Sequence, residues 1–164
     1  MPTCERGALR TITRLRVGGP ASTRDRIDVG ERLLLDRTCA GGGWNYGNAR
    51  VFGKDLPAHV PPTALALLAL QDRRKLPAVG SGLDYLASEA HLERSGIALA
   101  LTSLCLRVFD RRATEVDAAL RAQVEMTLAL GNVMNMAALA AALGDAAHHA
   151  FAAELDVNKP LTLK

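Results

Sequence analysis

The apolar residues of this chain recur at helical spacing in separate stretches. Three stretches are apolar on nearly every side: ALALLAL at 64–70, ALALTSL at 98–104 and AALAAAL at 137–143. More amphipathic stretches, 82–93 and 114–130, lie between them. A helix that is apolar all round is buried on most sides, whereas an amphipathic helix covers a core with one face. The pattern therefore predicts inner and outer helices in alternation.

The three apolar stretches begin 34 and 39 residues apart. A period of roughly 20–50 residues is typical of helical solenoids and toroids, in which each unit buries its face on its neighbours. A plain bundle with Ala/Leu core helices is the alternative, and periodicity alone does not separate the two. We expect the repeat architecture, and we expect Met126, Met134 and Met136 to fill gaps in its core.

Local signals set the expected helix boundaries. Ser22 or Thr23 caps a helix ending at residue 38, and Pro61–Pro62 starts a helix over 63–73. Pro77 and Gly80 predict a break, after which Ser81 caps the next helix. The remaining predicted helices span 97–108, 114–130 with Thr114 as its cap, 134–143 and 145–155.

The segment 40–62 is the longest irregular stretch that the pattern predicts. It contains half of the aromatic residues in the chain, Trp44, Tyr46 and Phe52, among glycines and prolines. A loop of this length in a small domain is usually functional or packed by its own side chains. We expect Gly42 and Gly43 to form its turn, since glycine adopts backbone angles closed to other residues.

Composition favours the all-α class. Apolar residues make up 49% of the chain but aromatic residues only 4%, and Ala and Leu favour helices while strands favour aromatic residues. We expect a basic N-terminal segment at 1–21, a repeat domain at 22–155 and a flexible tail at 156–164.

Charge, cysteine content and the length of the apolar runs argue against nucleic-acid binding, disulfide bonds and membrane insertion. The net charge of +3 matches the excess of arginine in residues 1–16, but these arginines lack the interleaved aromatics of a nucleic-acid arm, so we expect no nucleic acid partner. The three cysteines have no paired spacing, which favours free thiols in a reducing compartment. Apolar runs are shorter than the ~20 residues of a membrane helix. We therefore expect a soluble, cytoplasmic protein without a transmembrane segment.

The loop and the helix after it resemble a known repeat. The residues GGGWNYGN at 41–48, followed by PPTALALLALQ at 61–71, are similar to the repeat of the prenyltransferase and squalene-cyclase superfamily, which includes squalene-hopene cyclase. In that repeat an outer helix leads to a Gly-Gly-Trp turn, an aromatic loop and an Ala/Leu inner helix. The resemblance covers residues 33–71 and implies an α/α toroid fold.

The chain departs from the catalytic members of that superfamily. Their terpene cyclases use an Asp-x-Asp-Asp motif, whereas here Asp25 and Asp28 stand three apart and no other close pair of aspartates joins them. Their protein prenyltransferases hold zinc with Asp-x-Cys and a distant His, whereas Asp36, Cys39 and His59 have the wrong spacing. We therefore expect no metal and no cofactor. A closed toroid also needs more than the about six helices predicted here, so we expect an open arc, half of an oligomer or a piece of a longer protein.

These observations predict a partial α/α-toroid domain that binds an apolar ligand, such as an isoprenoid, or a protein partner, including a second copy. The candidate ligand-binding residues are Trp44, Asn45, Tyr46, Asn48 and His59. Packing of the loop onto the helix ends is the alternative role for these side chains. An isoprenoid-processing enzyme whose acid comes from a partner or another segment, of terpene cyclase or prenyltransferase type, is the second hypothesis. A structural scaffold is the third.

Overall fold

A computed structural model describes residues 21–111 and 113–144 of the 164. The expected basic segment, apart from residue 21, the expected helix at 145–155 and the expected tail at 156–164 lie outside these described residues. The side chains of Ser22 and Thr23, expected to cap the first helix, also lie outside them.

The described part of the chain is mostly helical, which confirms the predicted all-α class. It contains seven α-helices and one short antiparallel hairpin. The helices are α1 (Ala21–Asp36), α2 (Val60–Ala69), α3 (Pro77–Glu89), α4 (Gly96–Val108), α5 (Thr114–Ala122), α6 (Val124–Leu130) and α7 (Val133–Leu143). The hairpin strands, β1 (Arg50–Val51) and β2 (Lys54–Asp55), lie in the loop between α1 and α2, and a 3-10 turn (Ala90–Leu92) follows α3.

The three Ala/Leu-rich helices lie next to one another in chain order. Helix α2 packs against α4, and α4 packs against α7. The more amphipathic helices lie outside this row, with α3 on α2 and α5 on α4. Among the residues of α2, all except Pro61 are buried, because neighbours surround its apolar surface on most sides. The bounds of α4 and α7 confirm the predictions to within one residue.

The predicted break at Pro77 and Gly80 is wrong, because α3 begins at Pro77 and continues through Gly80 and Gly82. Leu76 is its extended N-cap, so Pro77 occupies the first helical position, where an absent N–H leaves no hydrogen bond unmade. Ser81, expected to cap the helix, lies inside it and donates to the carbonyl of Ala78. Proline therefore starts this helix instead of separating it from the preceding one.

The single helix predicted over 114–130 is also wrong, because α5 and α6 meet at Gln123. Helix α5 packs on α4, whereas α6 directs Thr127 toward Gly96, at the start of α4. At Gln123 the backbone N–H bonds to the carbonyl of Leu120, three residues back instead of four, and this tighter turn ends α5. Ala113, not Thr114, is the N-cap of α5.

The predicted burial of the methionines is wrong for two of the three. Met126 and Met134 are exposed, and Met136 is half-buried. Their helical stretches are as apolar as a core helix, but within the described residues no neighbour covers the sides of α6 and α7 on which Met126 and Met134 lie.

Candidate functional site

The loop between α1 and α2 begins with a tight glycine turn. Gly42 and Gly43 have φ angles of +86° and +75°, which L side chains rarely adopt. A Cβ on Gly42 would lie 2.7 Å from the carbonyl oxygen of Ser81, and one on Gly43 would lie 2.8 Å from Thr63 Oγ1. Both positions therefore require glycine for conformation and for space.

Trp44 follows this turn and is fully enclosed. Its indole N–H donates to the carbonyl oxygen of Leu34 in α1 at 2.7 Å, so its polar atom is satisfied inside the core. Its ring lies against Gly82 of α3, where an added Cβ would be 2.8 Å from Cζ3. The side chain thus connects the loop to two helices and is not accessible at the surface.

Thr63 of α2 holds together the two ends of the segment 44–59, which we call the aromatic loop. Its Oγ1 accepts from the backbone N–H of Trp44 at 2.9 Å and lies 2.7 Å from the carbonyl oxygen of His59, to which the hydroxyl donates. His59 in turn donates its backbone N–H to the carbonyl of Trp44 at 2.8 Å. A fully buried hydroxyl with these partners makes the base of the loop rigid.

Asn45 shapes the next turn and uses its polar atoms to do so. Its Oδ1 accepts from the N–H of Gly47 at 2.9 Å, and its Nδ2 donates to the carbonyl of Asn48 at 3.0 Å. This is the local bonding by which asparagine mimics a backbone turn. Its side chain is nearly buried, so its main contribution is to fix the backbone that presents Tyr46.

A shallow groove of about 230 Å³ opens on the outer side of the loop. The rings of Tyr46 and His59 lie along it with centroids 5.3 Å apart and planes tilted by 35°. The residues that line it are Asn45, Tyr46, Gly47, Asn48, Leu56, Pro57 and His59. Four of the five candidate ligand-binding residues therefore come together in one groove, and Trp44 lies on the opposite, enclosed side of the loop.

Several residues that support this loop were not predicted from the sequence. Thr63, Gly82 and Tyr85 act across the fold, and Tyr85 donates its hydroxyl to the carbonyl of Ala58 at 2.8 Å. Burial, with smaller effects of Glu89 and Glu93, raises the pKa of Tyr85 above its ordinary value. The threonine stood within the helical motif, but no local pattern in the sequence pointed to Gly82 or Tyr85.

Within residues 21–111 and 113–144, no group of three or more His, Cys, Asp or Glu side chains is placed to hold a metal ion. No helix in the same ranges is both long enough and apolar enough to cross a membrane. The thiols of Cys39 and Cys105 are free and buried, and burial raises the pKa of each.

Comparisons with known proteins found no matching family model, no matching curated protein and no matching solved structure. The likeness to prenyltransferases and squalene cyclases therefore rests on the sequence pattern of residues 33–71 alone.

Proposed function

We propose that this chain is an α/α repeat domain, of the kind that prenyltransferases and squalene cyclases contain, which binds one end of an apolar ligand in the groove beside Tyr46 and His59. The repeat part of the proposal is supported by the row of helices α2, α4 and α7, with α3 and α5 outside it. Each inner helix follows a more amphipathic one along the chain, as stacked helix pairs do in repeat proteins.

The observation that carries the binding proposal is an exposed aromatic ring on a rigid loop. Tyr46 is 46% exposed, while its neighbours Trp44 and Asn45 are fixed by the hydrogen bonds described above. Leu56 and Pro57 add apolar surface beside it. Because the loop is already ordered, little conformational entropy would be lost on binding.

The size of the groove limits what it would hold. Pockets for whole drug-sized ligands are usually about 300–1,000 Å³, and this groove is smaller, at about 230 Å³. A terminal isoprenyl unit would fill it, with the rest of the ligand lying along the outer surface. The polar rim of Asn48 and His59 suits a ligand with one polar end.

The enzyme hypothesis stays open as the alternative. It would require a catalytic acid from a partner or from another segment, since the chain carries no Asp-x-Asp-Asp motif. Asp117 illustrates how acids in the described part are used. It accepts from Ser103 Oγ at 2.5 Å and from Arg107 Nη2 at 2.8 Å, and it thereby joins α5 to α4.

The test is a calorimetric and thermal titration of the full chain with farnesyl diphosphate, geranylgeranyl diphosphate and squalene. We expect saturable binding and a rise in melting temperature, because a ligand that prefers the native state stabilises it. Tyr46→Ala should weaken binding by at least about tenfold, or about 1.4 kcal/mol. Phe52→Ala is the matched control, because Phe52 is an exposed aromatic of the same loop that does not line the groove.

Two results would count against the proposal. If none of the three compounds gives a saturable response, the groove does not bind isoprenoids. If Tyr46→Ala and Phe52→Ala weaken binding equally, the ligand lies elsewhere on the loop.

A further inference from the structure

Exposed hydrophobic side chains concentrate around the turn between α6 and α7. Five large apolar residues within nine positions are between 54% and 77% exposed: Met126, Leu128, Leu130, Val133 and Met134. We call them the α6–α7 face. Single exposed apolar residues are normal, but a cluster of this kind marks an interaction surface.

Helix α7 has the composition of a buried helix, but only two of its residues are buried. Its sequence, VMNMAALAAAL, is as apolar as that of α2, yet only Leu139 and Ala142 are buried. One side of α7 packs on α4. Val133, Ala137 and Ala140 are exposed and follow one another at helical spacing. Among the described residues, α7 thus has no neighbour along this side.

The absence of charged side chains in this region bears on which protein surface would cover it. Residues 126–144 contain no acidic, basic or histidine side chain. In a two-fold dimer the same patch meets itself, so any charge near the axis would face an identical charge. A neutral apolar face avoids this repulsion, and the small alanines would let two helices approach closely. Homodimer interfaces are also more apolar than interfaces between different proteins that associate transiently, which favours a second copy as the partner.

We propose that a second copy of this chain covers the α6–α7 face, with α7 of one copy packed beside α7 of the other. The dimer extends the row of α2, α4 and α7 across a two-fold axis. It does not depend on the groove at Tyr46, so either proposal can fail without the other.

The test is sedimentation equilibrium of the full 164-residue chain across the micromolar range. We expect a monomer–dimer equilibrium for the unaltered protein. Met134→Glu and Met134→Lys, each alone, should raise the dissociation constant at least about tenfold, because each places like charges in contact. An equimolar mixture of the two variants should restore the dimer through opposite charges. Phe52→Glu, which adds a charge at an exposed apolar residue far along the chain, should leave the equilibrium unchanged.

Thermal melting followed by circular dichroism checks that each variant is folded. Val133→Glu repeats the test at a second exposed position. A monomeric unaltered protein throughout the range would overturn the proposal. Hydrogen exchange at 126–134 in that monomer would then show whether another part of the same chain protects the face. Undiminished dimerisation of both Met134 variants would equally overturn it, as would a mixture that remains monomeric.

Discussion

The indole ring of Trp44 lies so close to Gly82 that a Cβ on Gly82 would be 2.8 Å from Trp44 Cζ3. Through this contact α3 supports the aromatic loop, while the indole N–H bonds to Leu34 in α1. A glycine in the middle of a helix is usually unfavourable by about 1 kcal/mol relative to alanine. Here the missing side chain provides the space for the largest fully buried residue described.

Gly82→Ala should therefore destabilise the protein by about 1–3 kcal/mol, because an added methyl group forces the indole or the helix to move. The free energy of unfolding in urea measures this effect. The matched control is Gly80→Ala in the same helix, where an added Cβ meets nothing within 4 Å. That control should raise stability by about 0.5–1 kcal/mol. Equal effects at the two positions would contradict the close contact.

Thr63→Val should cost about 1–3 kcal/mol, since it keeps the shape of the side chain but leaves the N–H of Trp44 buried without its acceptor. Amide hydrogen exchange of residues 44–59 should also speed up. Thr102→Val is the control, because Thr102 is equally buried but, among the residues that the structure describes, its hydroxyl bonds only to the carbonyl of Ala98 in its own helix. Its cost should stay below about 1 kcal/mol, and a similar loss in both variants would argue against a clamp at Thr63.

Phe52→Asn should stabilise the protein by about 0.5–1 kcal/mol, because asparagine tolerates positive φ better than phenylalanine does. Phe52 has a φ of +48° and precedes Gly53 at +76° in the two-residue turn between β1 and β2. Its side chain is fully exposed, so its removal loses no packing. The melting temperature provides the measurement, with Phe52→Ala as a control that keeps the unfavourable backbone conformation. A gain from alanine as large as that from asparagine would show that φ is not the cause.

The stability of the protein should fall as pH rises past about 9, the ordinary pKa of a thiol. Burial raises the pKa of Cys105 above its ordinary value of 9.0, so the folded state keeps the proton that the unfolded chain releases. A raised pKa contributes stability that is complete below the unfolded value and is lost above it, by at most about 1.4 kcal/mol per pH unit for each group. Cys39 shifts in the same direction. Unfolding free energies at several pH values test this loss.

Cys105→Ala should reduce the slope of that pH dependence, although it also lowers stability at neutral pH by opening a small cavity. Below pH 10 the contribution of Tyr85, whose pKa also rises, stays small because its ordinary value is 10.0. An unchanged slope in Cys105→Ala would mean that this thiol is not the cause.

Helix positions were predictable wherever the signals of individual residues, such as proline at a helix start, agreed with the packing of the helix in the fold. Pro61–Pro62 marked the start of α2, and the predicted bounds of α4 and α7 lie within one residue of the observed ones. Prediction was wrong at Pro77, because a proline signals both a break and a first helical position, and only the fold chooses between them. It was wrong for Met126 and Met134 because composition records how apolar a helix is and not whether a neighbour covers it.

The candidate site was predictable in part for the same reasons. The cluster of aromatic and polar residues at 44–48 pointed to the loop, and four of its candidates line one groove. The inward direction of Trp44 depended on Leu34, Thr63 and Gly82. These residues lie 10 to 38 positions from Trp44 in the chain, so no local pattern linked them to it.

The amino-acid sequence by itself determined the all-α class, the alternation of apolar and amphipathic helices and the glycine turn before Trp44. Periodicity, propensity and φ preference act within a few residues, and the sequence displays them directly. Tertiary structure alone decided which side of each helix is covered, which way the aromatic rings point and where apolar surface stays exposed. Those outcomes depend on contacts between distant segments, because burial is a property of neighbours in space.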